Sequence, residues 1–115
     1  MADNKFDVEI RHTSDCAIMK TDGYLNSPGG ESLAEAAKGL IDEGSIKLVI
    51  NLEQTRLINS IGISILIEII ELIEERDGVL NFCGLTPVIE RTFRMMGIAQ
   101  HAGIFPDEAS AISNL

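Results

Sequence analysis

The chain has 115 residues, enough for one compact domain and too few for two. Apolar residues make up 45% and charged residues 23%, which excludes a disordered chain and provides a core without disulfides or a structural metal. Nine Lys and Arg against eighteen Asp and Glu give a formal net charge of −9, so nucleic-acid binding and membrane insertion are not expected, and a partner with a basic face is the electrostatic alternative.

Residues 1–5 are polar and lack the basic start and apolar centre of a secretion signal. Cys16 and Cys83, the only cysteines, sit in apolar stretches and read as reduced core thiols, so the cytoplasm is the expected compartment. Phe6, Val8 and Ile10 alternate with Asp7, Glu9 and Arg11, the period of a strand with one buried face and one wet face. The polar turn His12-Thr13-Ser14-Asp15 leads to a second strand at 16–20, which predicts a hairpin ended by Asp22-Gly23. Ser27-Pro28 reads as an N-cap followed by proline at the first helical position. Leu33, Ala36, Ala37, Leu40 and Ile41 then form the stripe of an amphipathic helix that stops at Gly44. The run 47–52 is β-rich and apolar on both sides over much of its length, as a central strand requires.

Asn59-Ser60 opens the next helix, expected to run to about Glu75 and to stop before Asp77-Gly78. Ser64, Glu68, Glu71 and Glu75 share a narrow polar arc, and Ile or Leu fill most of the remainder. That apolar arc is wider than one sheet face needs. Burial by neighbouring helices is the first reading, and a partner surface is the other. No stretch reaches the roughly 18 apolar residues that span a bilayer, because Gly62, Ser64, Glu68 and Glu71 interrupt the longest one. A further strand covers 79–83, and Thr86-Pro87 repeats the cap-then-proline signal for a helix that ends at Gly97. Ile104-Phe105 is a short extended segment, and Pro106-Asp107 starts a last helix through Ala109 and Ile112. The order predicts a single α/β domain, core about 6–112, with a mixed sheet of four to five strands and helices mainly on one side.

A catalytic constellation is not evident. His12 and His101 lie at no ligand spacing from a second His or Cys, so no metal site is expected. Pro28-Gly29-Gly30 lacks both the P-loop lysine and the dinucleotide spacing, which leaves no cofactor to expect. Glu68, Glu71, Glu74 and Glu75 read as a solvated helix face rather than a catalytic pair, and one Tyr with no Trp offers no stacking platform. The informative segment is Leu57-Ile58-Asn59-Ser60-Ile61-Gly62. A serine in the first turn of a helix can turn its hydroxyl outward beside amides that lack intrahelical partners. A phosphate there is favoured by the helix dipole and adds about −1.5 to −2 charges to a surface expected to be acidic already. The same residues also fit a plain helix start, with Asn59 as cap and Ser60 as a tolerated first residue.

Four motifs in register resemble the STAS domain, the fold of bacterial anti-sigma factor antagonists. Gly23-Tyr24-Leu25-Asn26 resembles the family's Gly-x-Leu-Asp, and Val49-Ile50-Asn51-Leu52 its apolar strand. Asn59-Ser60-Ile61-Gly62 resembles Asp-Ser-Ser/Thr-Gly, and Gly84-Leu85-Thr86-Pro87, followed by Phe93 and Met96-Gly97-Ile98, resembles the strand-to-helix turn Gly-Leu-x-Pro. The resemblance implies a binding module for an anti-sigma factor, usually an ATP-dependent serine kinase. In the family that kinase phosphorylates the first motif serine and so ends the complex, and a phosphatase of the PP2C type resets it. Carried over, the phosphoacceptor is Ser60, and the expected partner contacts are Asn26, Ser27, Asn59, Ser60, Ile61, Ile63 and Ser64. Asn26 and Asn59 stand where the pattern has aspartates, and Ile61 where it has Ser or Thr. Asparagine caps a helix as well as aspartate, so the fold is expected to survive, with less repulsion towards an incoming phosphoryl group. Ile61 either joins the core or adds an apolar contact next to the switch. These departures also fit a STAS protein without a phosphoswitch, such as a stress-sensing scaffold or a small accessory subunit of a lipid transporter.

Overall fold

The alternating N-terminal residues form the expected hairpin. In the computed structural model, which describes residues 5–115, β1 (Asp7–His12) and β2 (Ala17–Asp22) pair antiparallel from Asp7↔Asp22 to His12↔Ala17. Residues 1–4, part of the segment inspected for a secretion signal, lie outside the described residues. Thr13 closes the turn, its Oγ1 accepting from the amides of Asp15 and Cys16 at 3.2 and 3.0 Å. Beyond β2 the strands run parallel: β3 (Lys47–Gln54), β4 (Val79–Cys83) and β5 (Gly103–Phe105), in spatial order β1-β2-β3-β4-β5. Parallel neighbours need crossovers, which α1 (Ser27–Asp42), α2 (Ser60–Glu75) and α3 (Pro87–Met95) supply. Strands added in sequence order by crossovers of one hand place these three helices on one face.

That face holds the main core. Leu48, Ile50, Leu52 and Phe82 of the sheet meet Leu33, Ala37 and Leu40 of α1, Leu66, Ile69 and Ile73 of α2, and Phe93 of α3. The rings of Phe82 and Phe93 meet edge to face, with centroids 5.1 Å apart. The broad apolar arc of α2 is mostly covered, as the first reading had it. Ile63, Leu66, Ile69, Ile70 and Ile73 are buried, and Ile65, Ile67 and Leu72 are half-buried against the same core. α1 packs closely enough that a Cβ at Gly30 would press on Ile65.

The opposite face carries a smaller cluster, in which Cys16, Ile18, Val49 and Cys83 are covered by Ala111 of the six-residue α4 (Glu108–Ser113). Buried asparagines hold this helix. Asn81 Nδ2 donates to the Ala111 carbonyl at 2.9 Å, and Asn51 Nδ2 donates to Glu108 Oε2 at 2.7 Å. Arg11 of β1 pairs with the other oxygen of Glu108. Partial burial pushes the Glu108 carboxyl up, but the hydrogen bonds from Arg11 and Asn51 and the charge of Arg11 outweigh it and hold the group below its ordinary value. Both cysteines are free and buried, and burial pushes the Cys83 thiol up to about 12, which keeps it protonated and unreactive.

Several details differ from expectation, β2 among them, which continues past 20 to Asp22. The cap of α1 is Asn26, not Ser27: Asn26 Oδ1 accepts from the Gly29 amide at 3.1 Å, and Pro28 becomes the second helical residue. β3 continues two residues beyond 52, to Gln54. Ile10 is 41% exposed, because β1 is an edge strand and the core reaches Phe6 and Val8 but not Ile10 further along the same side. Among the described residues, no helix is long and apolar enough to cross a membrane.

Candidate functional site

Parallel strands deliver the chain to one edge of the sheet, so α1, α2 and α3 all begin there. Asn26, Asn59 and Thr86 cap them, accepting from the amides of Gly29, Gly62 and Ile89 at 3.1, 2.8 and 3.2 Å. Both asparagines that replace aspartates of the motif pattern therefore act as caps.

The two loops before α1 and α2 are tied together. The Gly23 amide donates to Gln54 O at 3.1 Å, Leu25 to Leu57 O at 3.0 Å, and Asn59 to Leu25 O at 3.2 Å, which makes a parallel bridge of Leu25 with Ile58. Beneath them the buried hydroxyls of Thr21 and Thr55 lie 2.6 Å apart. Leu25 points inward, so by strand alternation Tyr24 and Leu57 face outward, 38% and 63% exposed. Gly62 lies directly under this bridge: a Cβ there would overlap the Leu25 carbonyl oxygen and press on Ile58. The motif glycine is thus required by a close approach, independently of any partner.

Ser60 is the first residue of α2 and is exposed, and its hydroxyl makes no hydrogen bond to the described residues. Its carbonyl accepts from Ser64 Oγ at 3.1 Å. Ile61 is 48% exposed and so forms part of the surface beside Ser60 rather than joining the core. Asn26, Ser27 and Asn59 are half-buried around it, and Ser64 is exposed. Ile63 is the exception among the expected contacts. It is 7% exposed and packs in the main core, because two helical residues turn the side chain by about 200° away from the direction of Ile61. Tyr24 and Leu57 were missed by reading the motif alone. Their alternation with inward Leu25 and Ile58 was the available signal.

The surroundings of Ser60 are not acidic. Residues 23–30 carry no charged side chain and residues 54–67 carry one, Arg56. Of the acids flanking these segments, Glu53 faces Lys20 at 3.9 Å and Glu68 faces Lys38 at 3.4 Å, while Asp22 and Glu31 are exposed with no ion pair among the described residues. The negative charge lies elsewhere, including the outer face of α2, where Glu74 pairs with the exposed His101 at 2.9 Å. A cleft of about 410 Å³ bounded by Glu9, Arg11, Lys20 and Glu108, and another of about 350 Å³ beside His101, do not include Ser60 in their walls. Ser60 sits instead on an apolar-rimmed surface built from two interlocked loops, a geometry suited to contact with another macromolecule.

A sequence model of the STAS domain matches residues 7–111. Several solved structures share the fold. An anti-sigma factor antagonist from Mycobacterium paratuberculosis superposes with TM-score 0.87 at 17% identity, over 98% of this chain and 96% of that one. A putative anti-sigma factor antagonist from Thermotoga maritima gives 0.83 at 15% identity, over 93% and 92%. The phosphorylated form of the Bacillus cell fate determinant SpoIIAA gives 0.75 at 18% identity, over 96% and 98%. With a mixed five-stranded sheet and a family match across nearly its whole length, this chain belongs to the STAS domain family.

Proposed function

We propose that this domain is an anti-sigma factor antagonist that captures an anti-sigma serine kinase through the edge around Ser60 and is released when Ser60 is phosphorylated. The observation that carries this reading is the exposed, unbonded Ser60 hydroxyl inside a rim of exposed Tyr24, Leu57 and Ile61. The solved relatives named as anti-sigma factor antagonists, among them SpoIIAA in its unphosphorylated form, and the phosphorylated form of SpoIIAA support the choice of partner class.

The apolar rim supplies affinity, because each side chain removed from water contributes about 25 cal/mol per Å² of apolar surface. Ser60 supplies the switch. The kinase's ATP transfers its γ-phosphoryl group to Ser60 Oγ: the new O–P bond forms as the bond to ADP breaks, and the hydroxyl proton is lost. In a closed interface the resulting phosphate loses its water without a prepared set of donors. A penalty of about 4 kcal/mol weakens the complex by roughly a thousandfold. A PP2C-type phosphatase removes the group and restores binding, so that sigma-dependent transcription follows the phosphorylation state of one hydroxyl.

The test is incubation with the purified anti-sigma serine kinases of the same organism and Mg-ATP, with the phosphate mapped by mass spectrometry. One phosphate on Ser60 and dissociation of the complex are expected. Ser60→Ala is expected to stay bound when ATP is added, and Ser60→Asp to bind weakly from the start. Phosphate on a different residue, or none despite a confirmed complex, removes the switch.

A further inference from the structure

We infer that the partner surface covering Ser60 presents a carboxylate beside its apolar contacts, and that Arg56 receives it. The inference rests on the proposed partner-binding role of this edge and adds the chemistry of the partner. In a chain of net charge −9, the two interlocked segments 23–30 and 54–67 contain a single charged residue, and it is positive. Arg56 is exposed and stands next to Leu57 in the apolar rim. Arg11, Lys20, Lys38, Arg76 and Arg94 each lie within ion-pair distance of a carboxylate; Arg56, like Lys5, Lys47 and Arg91, pairs with none among the described residues, and of these four Arg56 is the one within the two segments.

The backbone adds to this local field. α1 and α2 both start at this edge with no acidic residue in their first turns, whereas α3 and α4 carry Glu90 and Glu108 there. The partial positive charge of the two helix starts is therefore not offset by their own side chains. The net charge of the whole chain draws a basic partner from a distance, but the contact around Ser60 is complementary to an acid set in an apolar surface. A guanidinium half-covered by such a surface gains from a carboxylate and loses if left unpaired. Phosphorylation then has a specific consequence: a phosphate on Ser60, four residues along the chain from Arg56, repels the partner's carboxylate.

The experiment measures binding of the purified anti-sigma kinase to the wild-type chain and to Arg56→Gln, Arg56→Glu, Lys47→Glu and Ser60→Asp, at low and high salt. Lys47 is exposed at the opposite end of β3, so its reversal changes net charge equally without touching the edge. Equal melting temperatures exclude misfolding as a cause. Arg56→Glu is expected to weaken binding by about tenfold or more, Arg56→Gln by less, and Lys47→Glu by under about twofold, with the Arg56 effects shrinking at high salt. Restoration of Arg56→Glu binding by replacing one partner Asp or Glu with Arg identifies the carboxylate. Wild-type affinity or tighter binding in Arg56→Glu, while Ser60→Asp still releases the partner, overturns the inference and leaves the proposed function standing. Failure of every anti-sigma kinase to bind the wild-type chain overturns both.

Discussion

The helices on one face of the sheet and the short helix on the other are attached by different means. α1, α2 and α3 share a continuous apolar core with β2, β3 and β4, whereas α4 packs its Ala111 on four buried residues of the hairpin and strands and is tied down through Asn51, Asn81 and its own Glu108. Apolar packing spreads its stabilisation over many side chains. Polar ties concentrate it in a few groups and leave a costly unsatisfied atom when one partner is removed. The candidate site belongs to the first region: Leu25 and Ile63, which support its loops and helix, are members of the main core. The rim around Ser60 therefore rests on the stronger part of the molecule.

Substitutions can test this contrast. Phe93→Ala, which empties a fully buried ring site against Phe82, is expected to destabilise the whole domain by about 3–5 kcal/mol in urea unfolding. Next comes Gly62→Ala, expected to cost about 1–3 kcal/mol because the helix start must move away from the Leu25 carbonyl; it should also reduce partner binding although no contact side chain has changed. Asn51→Ala is expected to cost about 1–3 kcal/mol, with faster amide hydrogen exchange in α4 and little change in α1 or α2, since it strips partners from Glu108 and from the Glu53 amide. Comparable exchange increases on both faces would erase the distinction.

The smallest effect is a pH dependence. The folded value of Glu108 lies below its ordinary 4.5, so its ionised form stabilises the fold. That contribution is fully present above the unfolded value and is lost as pH falls through the folded one. Asp107, lowered by its hydrogen bonds with Ser110, acts in the same direction. Melting temperature measured downward from pH 5 or so should fall less steeply in Glu108→Gln than in wild type, with the Asp107 part remaining.

The apolar face was largely legible in the sequence because burial there follows simple periods. The stripe of α1, the alternation in β1 and the proline-marked helix starts each announce themselves within a few residues. The other face was not, because its ties are long-range. Asn51 and Asn81 read as polar residues within apolar strands, and only the fold brings Glu108 and Ala111 to them. Around Ser60, the position of Asn59 and Ser60 before an apolar helix marks the helix start, whereas the sequence alone does not say which way Ile61 turns. Ile63 was misassigned because a contiguous motif was treated as one surface, although a helix distributes neighbouring residues around its axis. Tyr24, Leu57 and Arg56 went unnoticed because their exposure depends on pairing between segments more than thirty residues apart.

The Leu25–Ile58 bridge has a consequence for anyone reshaping this protein. Residues 23–26 and 56–61 are a single epitope written in two places along the gene, joined by backbone hydrogen bonds that side-chain changes leave intact. Under the proposed function, retargeting the domain to a different kinase calls for both stretches to be varied together, since a library confined to either one samples only half of the proposed partner surface.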